Sequence, residues 1–295
     1  MLIIDKLQQT KTMSDHERTI AGFMLAQGKK LVDASTRNIA DATFTSPATV
    51  VRLCKKLGFS GFDDMKKQYM KEMEYLDRQF GTIDPNFPFD AKDTQIKAAN
   101  KMAELFMDTV KDTLSLLDYE QLKKAIFIIQ NHLNLHLFSY GTTLNLAESF
   151  REKMLKINKK VYVSTNLNYQ LYEANTLTKD DAAILISYSG ETEKILMTAQ
   201  TLKKRHVPMI VITSLGENSL SKLADCCLVI STKESLFHNL GDFSTHISVH
   251  YLLDVIYSSF FLCDFDNNYE TKMKNVSVYE AYRKSDNPIL NDMDD

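Results

Sequence analysis

Five short apolar runs alternate with helical patterns between residues 134 and 261, and this alternation constrains the fold more than any other feature. The predicted strands lie at 135–139, 161–163, 182–187, 208–213 and 227–230. Helices are predicted near 143–157, 167–177, 191–205 and 219–225, and a long final helix over about 245–261. Strands that are apolar throughout and alternate with helices are typical of a parallel sheet covered on both faces.

The N-terminal third has helix signals only. Ser14 and Glu17 have the spacing of a capping box at the start of a helix. A short helix is predicted over 37–42. After a brief turn, Ser46 and Pro47 are typical of the N-cap and first position of a further helix, which Gly58 should end. A helix, a tight turn and a second helix together predict a helix-turn-helix.

The second helix of such a motif lies in the major groove of DNA with its N-terminal residues toward the bases. Residues 1–77 hold 12 Lys and Arg against 10 Asp and Glu, whereas residues 78–295 hold 23 against 28. The local charge therefore permits contact with phosphates although the formal net charge is −3. The pattern also fits a small helical bundle whose basic side chains are solvated. The candidate DNA-binding residues are Ser46, Ala48, Thr49 and Arg52 toward bases, with Lys55 and Lys56 toward phosphates.

Domain boundaries follow from where the periodicity breaks. Pro85 and Pro88 exclude helix, so residues 78–118 are expected to form a linker and a connecting helix. This places a DNA-binding domain at 1–77, a sheet domain at 119–270 and a C-terminal tail at 271–295. No apolar run approaches the roughly 20 residues that span a bilayer, no secretory signal is visible, and the four cysteines form no CxxC pair. We therefore expect a cytoplasmic protein with reduced thiols and no membrane partner.

Two of the predicted strands end in hydroxyl-rich turns, at 139–143 and 187–192, and each turn opens a helix. The N-terminus of a helix offers unpaired N–H groups and a positive dipole end, which suit a phosphate. The chain has neither GxxxxGK[ST] nor GxGxxG, so a nucleoside triphosphate or dinucleotide is disfavoured, and no cofactor or metal is expected. The alternative is that Ser and Thr only cap helices. The candidate ligand residues in these turns are Gly141, Thr142, Thr143, Ser187, Tyr188, Ser189, Gly190 and Thr192.

Residues 1–77 resemble the helix-turn-helix domain of the RpiR family of bacterial transcription regulators, above all in SPATVVR at 46–52 and KLGFSGF at 56–62. Residues of about 120–265 resemble a sugar isomerase (SIS) domain, with an SxSGxT loop at 187–192. The resemblance implies an α + α/β chain: an all-α helix-turn-helix domain followed by a doubly wound, five-stranded parallel sheet of the SIS, flavodoxin-like type. By motif match, Ser187, Ser189 and Thr192 correspond to the family's phosphate-binding hydroxyls and Thr143 to the first loop, and Glu234 is placed near the sugar.

The resemblance further implies a transcriptional regulator of carbohydrate metabolism whose SIS domain senses a phosphorylated sugar and modulates operator binding. SIS domains also occur in isomerases, for which Glu234, His238, His246 and His250 offer acid–base groups. A non-catalytic scaffold is a third possibility. The DNA-binding motif in the same chain favours a sensor over an enzyme. Because one helix-turn-helix reads few base pairs and the final helix is unusually apolar, a homodimer or homotetramer is expected.

Overall fold

The structure is a computed structural model that describes residues 2–9, 12–77, 83–279 and 282. The chain divides into two compact units, Met1–Ile83 with Leu215–Asn218, and Asp84–Ser214 with Ser219–Asp295. The first is helical in its N-terminal part, and the second contains the sheet.

The N-terminal unit is built from short helices joined by tight turns. The helices are α1 (Ile3–Gln8), α2 (Asp15–Gln27), a 3-10 helix (Gly28–Asp33), α3 (Thr36–Ala42), α4 (Pro47–Lys56) and α5 (Phe62–Asp77). The capping box at α2 is confirmed, since Ser14 Oγ accepts from Glu17 N and the Glu17 carboxylate accepts from Ser14 N at 2.8 Å. Ser35 Oγ and Ser46 Oγ likewise accept from the N–H three residues later, at the starts of α3 and α4. Side chains close in sequence therefore determine where these helices begin.

One apolar core holds these helices together. Helix α4 buries Val50, Leu53 and Cys54 in this core, and the other helices pack around it. The predicted helix-turn-helix is confirmed as α3, a turn and α4. The fully buried residues of the apolar core include Ile20, Met24, Ile39, Val50, Leu53, Cys54 and Tyr69.

The second unit is a five-stranded parallel sheet with helices on both faces, as predicted. Its strands are β1 (Asn134–Phe138), β2 (Lys160–Val163), β3 (Asp181–Ile186), β4 (Met209–Ser214) and β5 (Cys226–Ile230). Its helices are α6 (Gln95–Leu116), α7 (Tyr119–Asn131), α8 (Thr143–Leu155), α9 (Gln170–Ala174), α10 (Glu193–Lys204), α11 (Phe243–Leu262) and α12 (Phe265–Tyr279).

The strand order is β2-β1-β3-β4-β5, which is the flavodoxin-like order. One face of the sheet packs against α7, α8 and α11, and the other packs against α9 and α10. Alternate residues of a strand serve the two faces: Ile184 belongs to the first core and Leu185 to the second. Such burial on both faces explains why the strands are apolar throughout rather than alternating.

One of the predicted helices is absent, and another is shorter than predicted. Residues 219–225 form turns instead of a helix, and the helix predicted over 167–177 shrinks to Gln170–Ala174. Helix α6 packs against α11 within the sheet unit, and α12 continues the chain to Tyr279. Most of the predicted tail, beyond Tyr279, falls outside the described residues.

In the described part of the chain, no single helix is long and apolar enough to cross a membrane. Helices α11 and α12 meet that length and composition only as a pair, with a bend of 109° between them.

Candidate functional site

The reversal in strand order lies between β1 and β3, which pair in parallel with Phe138 opposite Leu185. The turns that follow these two strands therefore leave the sheet side by side at its carboxyl edge, where open α/β sheets bind their ligands. The first turn leads from Ser139 into α8, and the second leads from Ser187 into α10. The two hydroxyl-rich turns found in the sequence thus share one edge.

The Ser187 and Thr192 hydroxyls of the second turn bond to each other, and the Ser189 hydroxyl bonds within the turn rather than to the start of the helix. Ser187 Oγ lies 2.9 Å from Thr192 Oγ1, and Ser189 Oγ accepts from Glu191 N at 3.1 Å. Thr192 occupies the N-cap position of α10 without a side-chain capping bond. The alternative that these residues serve only as helix caps therefore finds no support at Thr192. Gly190 has a φ of +65°, a conformation that few residues other than glycine adopt at low cost.

The first turn has a similar construction. Ser139 Oγ lies 2.5 Å from Thr143 Oγ1, which is also 2.9 Å from the carbonyl oxygen of Tyr140. Thr142 stands at the N-cap of α8 and likewise makes no side-chain capping bond. Gly141 has a φ of +69° and is exposed, so the turn depends on its backbone conformation rather than on close packing.

Tyr188 and Glu234 meet below the second turn. The Tyr188 hydroxyl donates to the Glu234 carbonyl oxygen at 2.7 Å and accepts from Glu234 N at 3.2 Å. Burial raises the pKa of Tyr188 well above its ordinary value. The Glu234 carboxylate is buried and accepts from Ser244 N at 3.3 Å and Thr245 N at 2.8 Å. It therefore caps α11, and both of its oxygens are used within the fold.

Two residues beside these turns, Lys194 and Gln170, were not predicted from the sequence. Lys194, in the first turn of α10, holds its ammonium 5.7 Å from the centre of the Tyr140 ring. A cation there opposes the helix dipole, and that unfavourable placement was the available signal for a nearby anion. Gln170 is fully buried and donates from Nε2 to the carbonyls of Ser139 and Ser164, at 3.0 and 3.1 Å, which joins the ends of β1 and β2.

On the helix-turn-helix, the candidate DNA-binding residues share one face of α4. Thr49 is half-buried and its N–H is bonded to Ser46 Oγ at 3.2 Å. Lys56 donates to Glu17 Oε2 at 2.8 Å and to the Thr12 carbonyl at 2.7 Å. This hydrogen bond lowers the pKa of Glu17. Lys56 is thus engaged within the unit. The exposed members of the set are Ser46, Ala48, Arg52, Lys55 and Lys56.

Two protein-family models match the chain. Residues 1–75 match the model described as "Helix-turn-helix domain, rpiR family", and residues 127–257 match the model of the SIS domain. Its helix-turn-helix is of the rpiR family, and its sheet unit carries an SIS domain. Together with the regulators described below, these two domains support a DNA-binding regulator with a sugar-phosphate-binding domain.

Relatives named as HTH-type transcriptional regulators are similar along most of their length. An uncharacterized HTH-type transcriptional regulator of Haemophilus influenzae is 27% identical over 276 residues, which are 93% of this chain and 94% of that protein. YbbH of Bacillus subtilis, an uncharacterized HTH-type transcriptional regulator, is 26% identical over 242 residues, 82% of this chain and 83% of its own. The order of the two domains is therefore shared with these regulators.

The fold is also similar to that of a solved structure. The structure of the Vibrio vulnificus NanR protein complexed with ManNAc-6P has a TM-score of 0.62 and 19% identity, and the match covers 96% of this chain and all of that one. At this identity the likeness concerns the fold alone.

Two of the histidines proposed as alternative acid–base groups have partners outside the two turns. The His238 ring lies edge-on to Phe87, with ring centroids 4.9 Å apart. His250 Nε2 lies 3.8 Å from Asp254 Oδ2 on the surface of α11. Among the described residues, no three His, Cys, Asp or Glu side chains gather in a way that could hold a metal ion.

Proposed function

We propose that this protein is a cytoplasmic transcriptional regulator of carbohydrate metabolism whose SIS domain binds a phosphorylated sugar and thereby changes the affinity of its helix-turn-helix for operator DNA. The observation that carries the proposal is the pair of turns at the ends of β1 and β3. Their hydroxyls are not used as helix caps, and each turn opens a helix of at least twelve residues. Two helix N-termini at one sheet edge suit a phosphate dianion.

The phosphosugar-binding residues in this proposal are those of the two turns. Ser187, Ser189 and Thr192 supply hydroxyls, Thr143 supplies a hydroxyl from the first turn, and Lys194 adds positive charge. Glu234 has a supporting part, because its carboxylate already accepts two backbone N–H groups at the start of α11. The solved relative complexed with ManNAc-6P supports the class of ligand but not the identity of the sugar.

We propose a sensor rather than an isomerase. An aldose–ketose isomerase needs a base poised to move a proton between adjacent carbons. Glu234 is engaged as a cap, and His238 packs against Phe87 in the described structure. The relatives named as transcriptional regulators support the same conclusion.

A homodimer formed through the SIS domain belongs to this proposal, since two helix-turn-helix units reading two half-sites give useful specificity. Support comes from exposed apolar side chains where α7 lies near the end of α11. Phe127, Tyr119 and Leu262 are each about two-thirds exposed. Light scattering at micromolar concentration should give the mass of a dimer or tetramer, and a monomer would contradict this part.

The test of the sensor begins with a thermal-shift screen of hexose, hexosamine, pentose and N-acetylmuramic acid phosphates. A compound that binds the folded protein raises its melting temperature at concentrations near the Kd of the complex. The Ser187→Ala/Ser189→Ala double variant is then titrated with the stabilising compound by calorimetry. We expect an affinity lower by about one to three orders of magnitude. Its DNA binding should persist while the response to ligand disappears.

A matched control replaces Ser258, an exposed serine of α11, with Ala. That variant should keep both the sugar-phosphate affinity and the response of DNA binding. Unchanged affinity in the double variant would mean that the second turn is not the phosphate site.

A further inference from the structure

Phe44 lies in the turn of the helix-turn-helix in a backbone conformation that phenylalanine rarely adopts. Its φ is +51°, and its side chain is 94% exposed. Among the described residues, the other non-glycine residues with a φ above +50° are Asn158 and His206. Asn and His belong to the residue types enriched in the left-handed region, whereas a bulky residue there is an outlier. Phe44 therefore combines backbone strain with an aromatic ring in water.

Neither feature is explained by packing. Neighbouring bonds hold the turn: Thr45 N donates to the Ala40 carbonyl at 2.9 Å, and the Thr43 hydroxyl donates to the Ile39 carbonyl at 2.6 Å. Glycine would satisfy the same conformation without strain, and an exposed ring adds nothing to the core. A strained residue that stability does not explain is a reason to look for a functional contact.

The position of Phe44 suggests what that contact is. Phe44 precedes Ser46, the N-cap of α4, by two residues, and Ser46, Ala48 and Arg52 are exposed beyond it. If α4 lies in the major groove, this N-terminal end approaches the base edges. The apolar group that base pairs present in that groove is the 5-methyl group of thymine, which phenylalanine contacts in direct readout.

We propose that Phe44 contacts the 5-methyl group of one thymine in each operator half-site and specifies that base. The inference rests on the proposed DNA-binding function and adds a specificity-determining residue outside α4. The strain at Phe44 is retained because the ring is needed at a place where the turn demands positive φ.

The experiment uses the full chain and a duplex selected by the wild-type protein from a random-sequence pool. Each thymine of that duplex is replaced in turn by deoxyuridine, which removes only the methyl group. We expect one position per half-site where deoxyuridine weakens wild-type binding by about fourfold. Phe44→Gly should bind the thymine duplex more weakly than wild type and should not distinguish thymine from deoxyuridine at that position.

Thermal melting separates this role from a structural one. Phe44→Gly relieves the positive φ, so its melting temperature should equal or exceed that of the wild type although its DNA affinity falls. His206→Gly is the matched control: it relieves a φ of +57° at an exposed residue after α10, and its DNA affinity should be unchanged.

Each contrary outcome identifies what failed. If wild-type binding is insensitive to every deoxyuridine, or if Phe44→Gly retains the discrimination, the methyl contact is wrong while the DNA-binding function stands. If Phe44→Gly melts well below the wild type, the ring has a structural role and the inference fails. If the wild-type protein enriches no sequence from the pool, the proposed function fails and the inference with it.

Discussion

The hydrogen bond between Ser187 and Thr192 leads to a prediction about how the hydroxyls of the second turn share a phosphate. Their oxygens are 2.9 Å apart, so one hydroxyl donates to the other and the pair has a single O–H left for a ligand. Ser189 differs, because its oxygen accepts from Glu191 N and its own O–H remains available to donate outward. Three hydroxyls therefore supply two donors to the anion.

The substitutions Ser187→Ala and Thr192→Val should each cost little on their own, because each frees the remaining partner to donate to the phosphate. We expect each single loss to stay below about 1 kcal/mol, since the number of outward donors is unchanged and only a neutral hydrogen bond is removed. Ser189→Ala removes a donor to a charged group and should cost about 1.5–3 kcal/mol, which is roughly 10- to 150-fold in Kd. The Ser187→Ala/Thr192→Val double variant should lose a similar amount.

Calorimetric titration of these four variants with the sugar phosphate found in the screen completes a double-mutant cycle. The predicted signature is a double variant that loses more than the sum of its two single variants. Single variants that each lose as much as Ser189→Ala, with an additive double variant, would refute the shared-donor reasoning. Circular dichroism melts of all four variants control for damage to the fold.

Three other substitutions test, one each, a DNA contact, an ion pair within the N-terminal unit and a buried carboxyl group. Lys55→Ala should weaken binding to all DNA sequences and flatten the slope of log K against log salt by about 0.9 per subunit, measured by gel-shift titration at several salt concentrations. Lys56→Ala should instead lower the free energy of unfolding, because it leaves buried Glu17 without its cation. Since Lys56 lowers the folded-state pKa of Glu17, urea titrations should show that loss above pH 4.5 and its disappearance as Glu17 becomes protonated at lower pH. Burial raises the pKa of Glu72 from 4.5 to about 7, so the wild type loses stability as the pH rises between these values. Glu72→Gln should then be more stable than wild type by up to about 3 kcal/mol above pH 7 and equally stable below pH 4.5, and equal stability at pH 8 would contradict this.

Much of the fold could be predicted because its signals are local or strongly periodic. Ser14, Ser35 and Ser46 bond to N–H groups three residues later, so a short stretch of sequence determines each helix start. The strands are buried on both faces, which leaves few polar residues to confuse their assignment. The helix predicted over 219–225 is absent because Leu220, Leu223 and Ala224 have helical spacing but lie in turns, in which Leu220 N donates to the Gly190 carbonyl.

The candidate sites were harder to predict wherever partners are distant in sequence. Lys56 has the spacing of a phosphate-contacting residue, but Glu17 lies 39 positions away and binds it. Gln170 has no local pattern, and its role becomes visible only when β1 and β2 are adjacent. The pattern of a single segment cannot reveal such pairings, because the partners lie in different segments.

The contacts of α6 show why these distant pairings would matter for the proposed ligand sensor. Thr109 and Thr113 of α6 look like solvent-facing residues in the sequence, yet their hydroxyls lie 3.1 Å from those of Ser244 and Ser248 in α11. The N-terminus of α11 is capped by Glu234, whose backbone is held by Tyr188 from the second turn. Separating buried hydrogen-bond partners costs free energy, so these helices and the turn resist independent displacement. A phosphate that repositions Tyr188 must therefore also act on the start of α11 and, through it, on α6.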